Sequence, residues 1–87
     1  MDPIKVGKAI KIARAKRGFT QQELAARIDV TDKAVSRWER GVGLPDISLI
    51  NDLAWNLNID VNNLLDGNVA FLENNWIGVL NLSKFHL

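Results

Sequence analysis

Residues 20–41, TQQELAARIDVTDKAVSRWERG, contain two short helical segments that are joined by only a few residues. Thr20, followed three positions later by Glu23, is a capping box, in which each side chain bonds a backbone N–H that the first helical turn leaves unpaired. Thr31 is the corresponding cap of the second segment. Two helices joined so closely must cross steeply, and the second helix then protrudes as a ridge that suits the major groove of DNA.

Apolar residues flank both caps. Phe19 and Leu24 enclose the first cap, and Val30 and Val35 enclose the second. Such hydrophobic staples fix the angle at which the chain enters each helix. The local signals at both helix starts therefore agree with a helix-turn-helix.

Residues 4–67 resemble the Cro and phage-repressor family of helix-turn-helix regulators, also called the XRE family. Within the motif, Ala25 is small where the two helices approach, and Val35 and Trp38 are apolar where the family anchors the second helix. The downstream pattern for two closing helices is carried by Gly41, Pro45, Ile47, Leu49, Ile50, Leu53, Ala54, Leu57, Ile59, Val61, Leu64, Leu65 and Gly67. The resemblance implies an all-α, compact five-helix domain like that of lambda repressor.

One residue of the turn departs from the family pattern. Asp29 stands where the family commonly places glycine, because the backbone there tends to adopt a positive φ. The short polar side chain of aspartate reaches that conformation at less cost than most residues do. We therefore expect the turn to form with Asp29 in the left-handed region.

Five short helices are predicted, and they form one domain over residues 1–67. Their predicted bounds are 4–17, 21–28, 32–40, 46–56 and 61–65, with Gly18, Gly41 and Gly67 as left-handed stops. Trp38 and Trp55 both fall on apolar helical stripes, so both are predicted to lie in the core.

The outward face of the third helix is predicted to be polar. With Val35 and Trp38 turned inward, we expect the opposite face to expose Asp32, Lys33, Ser36, Arg37 and Arg40. In the docking mode of the family, the N-terminal part of this helix meets the base edges of DNA.

Four of these residues are predicted to read bases. Lys33 and Arg37 lie one turn apart and can both donate to O6 and N7 of guanine. Asp32 can accept from the N4 amine of cytosine, but in the first helical turn its carboxylate also favours the positive end of the helix dipole, and both roles stay open. Ser36 can reach either the backbone or a base edge of DNA.

Four further residues are predicted to contact DNA phosphates. Gln21, at the start of the second helix, matches a family position that binds a phosphate oxygen through its amide and the helix N-terminus. Gln22 is a weaker candidate. Thr31 caps the third helix and is also a candidate phosphate contact, while Arg40 stands where the chain leaves the groove.

Arg14 and Glu39 are predicted to form a structural salt bridge. In the family, an arginine at this place in the first helix pairs with a glutamate at the end of the third helix. The alternative is that both are ordinary surface charges. If the pair forms, it ties the first helix to the DNA-reading helix.

The charge of the chain is divided unequally between its two halves. Residues 1–40 hold ten Lys and Arg against five Asp and Glu, whereas residues 41–87 hold one against five. The positive field therefore surrounds the helix-turn-helix, and phosphate is the counter-charge that it suits.

Composition limits the other function classes. The chain has 87 residues, of which 47% are hydrophobic, and it has no apolar run near the ~20 residues of a membrane helix. It has no cysteine and one histidine, so we expect no catalytic constellation, no metal site and no cofactor. No secretory signal begins the chain, which predicts a cytoplasmic, nucleoid-associated regulator of bacterial or phage type.

The segment 68–87 lies beyond the family resemblance and is unusually apolar. Eleven of its twenty residues are apolar, and its pattern fits a helix nearly as well as a strand. Three interpretations remain open: a dimer interface, the start of a further domain, or a tail that folds back on the fourth and fifth helices.

These features predict a sequence-specific DNA-binding transcriptional regulator that is not an enzyme. The resemblance implies a repressor that binds double-stranded DNA at a palindromic operator as a homodimer. The alternative is a protein-interaction or antitoxin-like module in which DNA binding is secondary.

Overall fold

The computed structural model describes residues 1–70, and within that range all regular structure is helical. The elements are α1 (Pro3–Arg17), α2 (Gln21–Arg27), α3 (Asp32–Glu39), a 3₁₀ helix (Ile47–Leu49), α4 (Ile50–Leu57) and α5 (Val61–Asp66). The predicted all-α, five-helix architecture is confirmed. Residues 71–87, which make up most of the apolar segment and include Trp76, lie outside the described residues.

The capping box predicted at the start of α2 is present. Thr20 Oγ1 accepts the Glu23 N–H at 3.0 Å, and the Thr20 N–H donates to Glu23 Oε1 at 3.0 Å. The bond from the Thr20 backbone N–H is the main reason that the pKa of the Glu23 carboxyl lies below its ordinary value, and the hydrogen bond with the Thr20 side chain adds to the effect. The ionised carboxylate therefore stabilises the native state at neutral pH, and this contribution is lost as the pH falls through the lowered pKa.

The tight turn between α2 and α3 has the backbone conformation predicted for it. Asp29 has a φ of 57°, and the next residue, Val30, donates its N–H to Ala25 O at 3.0 Å. A second left-handed residue that is not glycine, Asn58, has a φ of 56° and ends α4. Its conformation was not predicted from the sequence, although asparagine adopts this region more readily than most residues.

The fourth predicted helix, 46–56, is only partly α-helical. Asp46 accepts the Ser48 N–H with its side chain at 3.0 Å, and its carbonyl accepts the Leu49 N–H at 2.9 Å. These short-range bonds wind residues 47–49 as a 3₁₀ helix, so α4 itself begins at Ile50.

The helices enclose one hydrophobic core. Its fully buried larger side chains are Val6, Ile10, Leu24, Val35, Leu53, Leu57 and Leu64. Trp38, with 5% of its surface exposed, joins this core as predicted.

The prediction that Trp55 is a core residue is wrong. Its side chain is 85% exposed. The buried face of α4 is formed by Ile50, Leu53, Ala54 and Leu57, and position 55 lies about 100° around the helix from Ala54, away from the centre of that face. Trp55 therefore lies on the solvent-facing side of α4, although it is apolar.

Gly7 of α1 lies directly against the backbone of α3. A Cβ atom built on Gly7 would lie 2.0 Å from the carbonyl oxygen of Trp38 and 3.3 Å from Cα of Glu39. The backbones of α1 and α3 therefore touch at a point where no side chain fits. Sequence reasoning did not single out Gly7, because nothing local distinguishes it from a glycine that merely tolerates a helix.

Replacing Gly7 with alanine is expected to destabilise the fold even though alanine favours helices. We expect Gly7→Ala to lower the free energy of unfolding by about 1 to 3 kcal/mol, because α1 and α3 must separate to admit the methyl group. Urea denaturation followed by circular dichroism measures the change. The matched control is Lys8→Ala, at the exposed neighbouring position, which should stay within ~0.5 kcal/mol of the wild type. Equal stability of both variants would contradict the close approach.

Candidate nucleic-acid interface

One face of α3 is buried in the core and the opposite face is polar and exposed. Val35 is fully buried and Trp38 nearly so, which turns the other face of the helix to solvent. Of the five side chains expected there, four are exposed: Asp32, Lys33, Arg37 and Arg40. Ser36 is half-buried, so its predicted exposure is wrong in part. The residue stands at the edge of the polar face and not at its centre.

Two side chains organise the start of α3. Thr31 Oγ1 accepts the Ala34 N–H at 3.1 Å, and Asp32 Oδ1 accepts the Lys33 N–H at 3.0 Å. Both acceptors thus satisfy N–H groups that the first turn cannot bond internally. The bond from the Lys33 N–H holds the Asp32 carboxylate at the N-terminus of α3, the positive end of the helix dipole. The Thr31 hydroxyl accepts a hydrogen bond there and can still donate its own proton to a phosphate oxygen.

The end of α3 carries the two exposed arginines. After α3, the Gly41 N–H donates to Trp38 O and the Val42 N–H to Arg37 O, each at 3.0 Å, and this bonding pattern reverses the chain. The Arg40 side chain folds back, and its Nε donates to Ser36 O at 3.3 Å.

Arg37 lies against the loop that follows its own helix. A Cβ atom on Gly43 would stand 3.2 Å from Arg37 Nη2, so the guanidinium occupies the space that this glycine leaves open. Gly43 was not among the predicted site residues. Its relation to Arg37 depends on the path of the loop, which no local sequence signal gives.

A buried carboxylate joins α3 to the first two helices. Arg14 Nε donates to Glu39 Oε2 at 2.6 Å, and Arg14 Nη2 donates to Glu39 Oε1 at 2.9 Å. Arg14 Nη1 also donates to the carbonyl of Phe19 at 2.7 Å, which ties down the entry to α2. The side chains of Arg14 and Glu39 are 15% and 4% exposed, so the two expected to pair are in contact and largely shielded from water.

Arg14 is held in its charged form. The hydrogen bond to Glu39 raises the pKa of Arg14, burial opposes the change, and attraction to the carboxylate adds to it. Arginine is already cationic at every physiological pH, and this shift keeps it so. Arg14 therefore presents a full positive charge to the two carboxylate oxygens that it bonds.

Gln21 belongs to the same network. Its Nε2 donates to Glu39 Oε1 at 3.1 Å, and its side chain is half-buried. Because an amide nitrogen carries two protons, the bond to Glu39 orients Gln21 and leaves a second N–H able to donate elsewhere. Gln22, by contrast, is exposed on α2.

Neither a metal-binding cluster nor a membrane-crossing helix is found among residues 1–70. Within residues 1–70 no group of three or more His, Asp or Glu side chains is arranged to hold a metal ion. Nor does that range contain a helix of the length and apolarity that crossing a bilayer demands. What the described residues bring together is a polar, cationic helix face held in place by a buried ion pair.

Comparison with known proteins agrees with this geometry. The helix-turn-helix family model matches residues 10–64, which confirms the resemblance inferred from the sequence. A crystal structure of the clp gene regulator ClgR from Corynebacterium glutamicum is 26% identical, with a TM-score of 0.68 over 79% of this chain and 90% of that one. A second structure of that regulator is 22% identical, with a TM-score of 0.71 over 99% of this chain and 94% of the other, and it shows a shared fold.

Removing the carboxylate of Glu39 is expected to leave the Arg14 guanidinium partly buried without its ionic partner. We expect Glu39→Ala to cost about 3 kcal/mol in the free energy of unfolding, measured by urea denaturation. The matched control is Arg40→Ala, which removes a charge from the next, exposed position and should change stability by less than ~0.5 kcal/mol. A loss no larger for Glu39→Ala than for Arg40→Ala would contradict a role for the ion pair in the fold.

Proposed function

This chain belongs to the helix-turn-helix family of Cro and C1 type, and we propose that it is a transcriptional repressor that reads a palindromic DNA operator through α3. The observation that carries the proposal is the pairing of an exposed cationic face on α3 with a buried anchor on its other side. A helix of this kind can enter the major groove without changing its position on the domain. ClgR, which shares the fold, is described as a gene regulator.

The proposed division of labour follows the position of each side chain. Lys33 and Arg37, exposed one turn apart, donate to guanine O6 and N7, and Arg37 can do so with two N–H groups at once. Asp32 and Ser36 make the remaining base contacts of the proposed interface. Specificity depends most on Arg37, because bidentate contacts discriminate best between bases.

The proposed phosphate contacts surround this reading face. Gln21 and Gln22 lie at the start of α2, Thr31 at the start of α3, and Arg40 at its end. Such contacts fix the register of a protein on DNA without reading its sequence. The excess of positive charge in residues 1–40 adds a long-range attraction that falls steeply with salt.

Palindromic recognition requires two copies of α3, and we propose that the chain acts as a homodimer. The two recognition helices would stand about 34–36 Å apart, one turn of DNA. The apolar composition of segment 68–87 supports its use as the dimerisation surface, since eleven apolar residues in twenty favour burial against a partner.

Selection of bound sequences from a random duplex pool at near-physiological salt tests the proposal. We expect a palindromic selected sequence whose affinity is at least ~1000-fold higher than that of a scrambled duplex of the same length. Its half-site spacing then gives the separation of the two helices. Weak, salt-sensitive binding with no enriched sequence would refute specific recognition and would favour a protein-interaction or antitoxin-like module.

Substitutions should separate base reading from phosphate binding. We expect Arg37→Ala to weaken binding to the selected operator by ~1–3 kcal/mol and to relax the preference at one base pair. Gln21→Ala should instead weaken binding to the operator and to the scrambled duplex similarly. Titrations of both duplexes by fluorescence anisotropy measure this difference.

Two controls make that comparison decisive. Because Gln21 also bonds Glu39, the stability of Gln21→Ala is measured in parallel, and the titrations are run well below its melting temperature. Arg40→Ala serves as a second phosphate variant that leaves this network intact. Equal losses on all sequences for Arg37→Ala would overturn its assignment as a base-reading residue.

A further inference from the structure

An exposed tryptophan marks a second surface of the domain. Trp55 is 85% exposed and borders a groove of about 500 Å³. Apolar side chains from α4 and the start of α5 line this groove, together with polar ones: Asn51, Ala54, Trp55, Asn58, Ile59, Asp60 and Val61. A tryptophan is the largest apolar side chain, and one that is left almost wholly in water beside an apolar groove is typical of a binding surface.

A cluster of two arginines around a phenylalanine begins next to this groove, at Arg17. Arg17 lines a smaller depression of about 240 Å³ with Trp55 and Asn58, so the two hollows share a wall. The guanidinium of Arg17 lies 5.2 Å from the centre of the Phe19 ring, and that of Arg27 lies 4.3 Å from it. Phe19 thus links the arginines into one cationic cluster.

The position of Arg17 is held by the fold. Its Nε donates to the carbonyl of Asn56 at 3.1 Å, near the end of α4, and leaves its other N–H groups available. The groove, the depression and the arginine cluster therefore form one continuous surface across α1, α2 and α4. We call it the tryptophan–arginine surface, defined by Arg17, Phe19, Arg27 and Trp55 together with the groove beside Trp55.

The arginines of this surface make no close ion pair with a carboxylate of the described residues. Among residues 1–70, neither Arg17 nor Arg27 forms a salt bridge with Asp or Glu. Two acids stand near, but both already accept backbone N–H groups. Glu23, one turn before Arg27, attracts the Arg27 guanidinium electrostatically but accepts its hydrogen bonds from Thr20. Asp60, which lines the groove, accepts from Asn62 and Asn63.

The tryptophan–arginine surface lies apart from the proposed DNA-reading face. On α2, Arg27 shares a face with Glu23, and this exposed face lies opposite the buried residues Leu24 and Ala25. Gln21 instead points toward Glu39 at the end of α3. The surface can thus be occupied while α3 contacts another molecule.

We propose that the tryptophan–arginine surface binds a short acidic and apolar segment of a partner protein. Its apolar side chain packs on Trp55 in the groove, and carboxylates one or two residues away bond the guanidiniums of Arg17 and Arg27. Arginine binds carboxylates in a planar, two-bonded geometry, and tryptophan and arginine dominate the energetics of protein interfaces. A phosphate backbone would satisfy the arginines but would leave the apolar groove and Trp55 without a partner.

Selection from a library of displayed random peptides against the intact 87-residue chain tests this proposal. We expect enriched peptides that carry two or more Asp or Glu residues close to a Trp, Phe or Leu. The best peptide is then synthesised with a fluorescent label and titrated against variants. Trp55→Ala and Arg27→Ala should each weaken it by about tenfold or more. Val42→Ala, at a residue that is 62% exposed and follows α3, should leave the affinity unchanged.

The same variants identify the other possible occupants. Absence of enriched peptides, or equal binding by Trp55→Ala, Arg27→Ala and the wild type, would overturn the proposal. So would a loss of duplex DNA affinity in Arg27→Ala that exceeds the loss in Lys8→Ala, another exposed cation of residues 1–40, since that would assign the arginine to a direct phosphate contact. A change of oligomeric state in Trp55→Ala, measured by sedimentation, would assign the surface to a second copy of the chain and would likewise overturn it.

These outcomes are separate from those that test the DNA-binding proposal. Peptide binding is measured without DNA, so it can fail while operator selection succeeds, and the reverse. Because Trp55 is exposed, its removal should leave the melting temperature nearly unchanged, and Arg27→Ala provides a second variant that does not alter the groove.

Discussion

The carboxylate of Glu39 is the point on which the arrangement of the first three helices depends. It accepts two hydrogen bonds from Arg14 of α1 and one from Gln21 of α2, while its own backbone ends α3. A charge so shielded from water is tolerable only if its partners stay in place, because separating them would leave an uncompensated ion in a poorly hydrated site. Any rotation of α3 against α1 or α2 would therefore carry a large energetic cost.

A close backbone contact strengthens the same constraint from the apolar side. Gly7 allows α1 to touch the backbone of α3 at Trp38, directly before the residue that carries the buried carboxylate. Packing fixes the separation of the two helices at this point, and the ion pair fixes their orientation. Together they leave α3 little freedom to move as a body, so the side chains on its outer face start from defined positions.

This rigidity connects the fold to both proposed surfaces. A recognition helix that is already oriented loses less entropy on binding than one that must be ordered by its target. Gln21 can serve both the fold and the proposed interface. One proton of its amide bonds the buried Glu39 carboxylate, and the other can donate to a DNA phosphate. On the far side of α2, Phe19 has a related double role: its carbonyl is held by Arg14, while its ring supports Arg17 and Arg27.

Bonds between near neighbours made part of the structure predictable. The cap at Thr20 and the five helices were predictable, because each depends on bonds between residues close together in the chain. The left-handed conformation of Asp29 was expected from the family pattern. The resemblance to a known family added Arg14 and Glu39, although they are 25 residues apart. Five further features could be seen only in the tertiary structure. They are the close contact at Gly7, the half-burial of Ser36, the position of Arg37 beside Gly43, the bond between Gln21 and Glu39, and the exposure of Trp55. Each of these features depends on how one helix packs against another. Hydrophobic periodicity shows which face of a helix is apolar, but it does not show where the neighbouring helix lies.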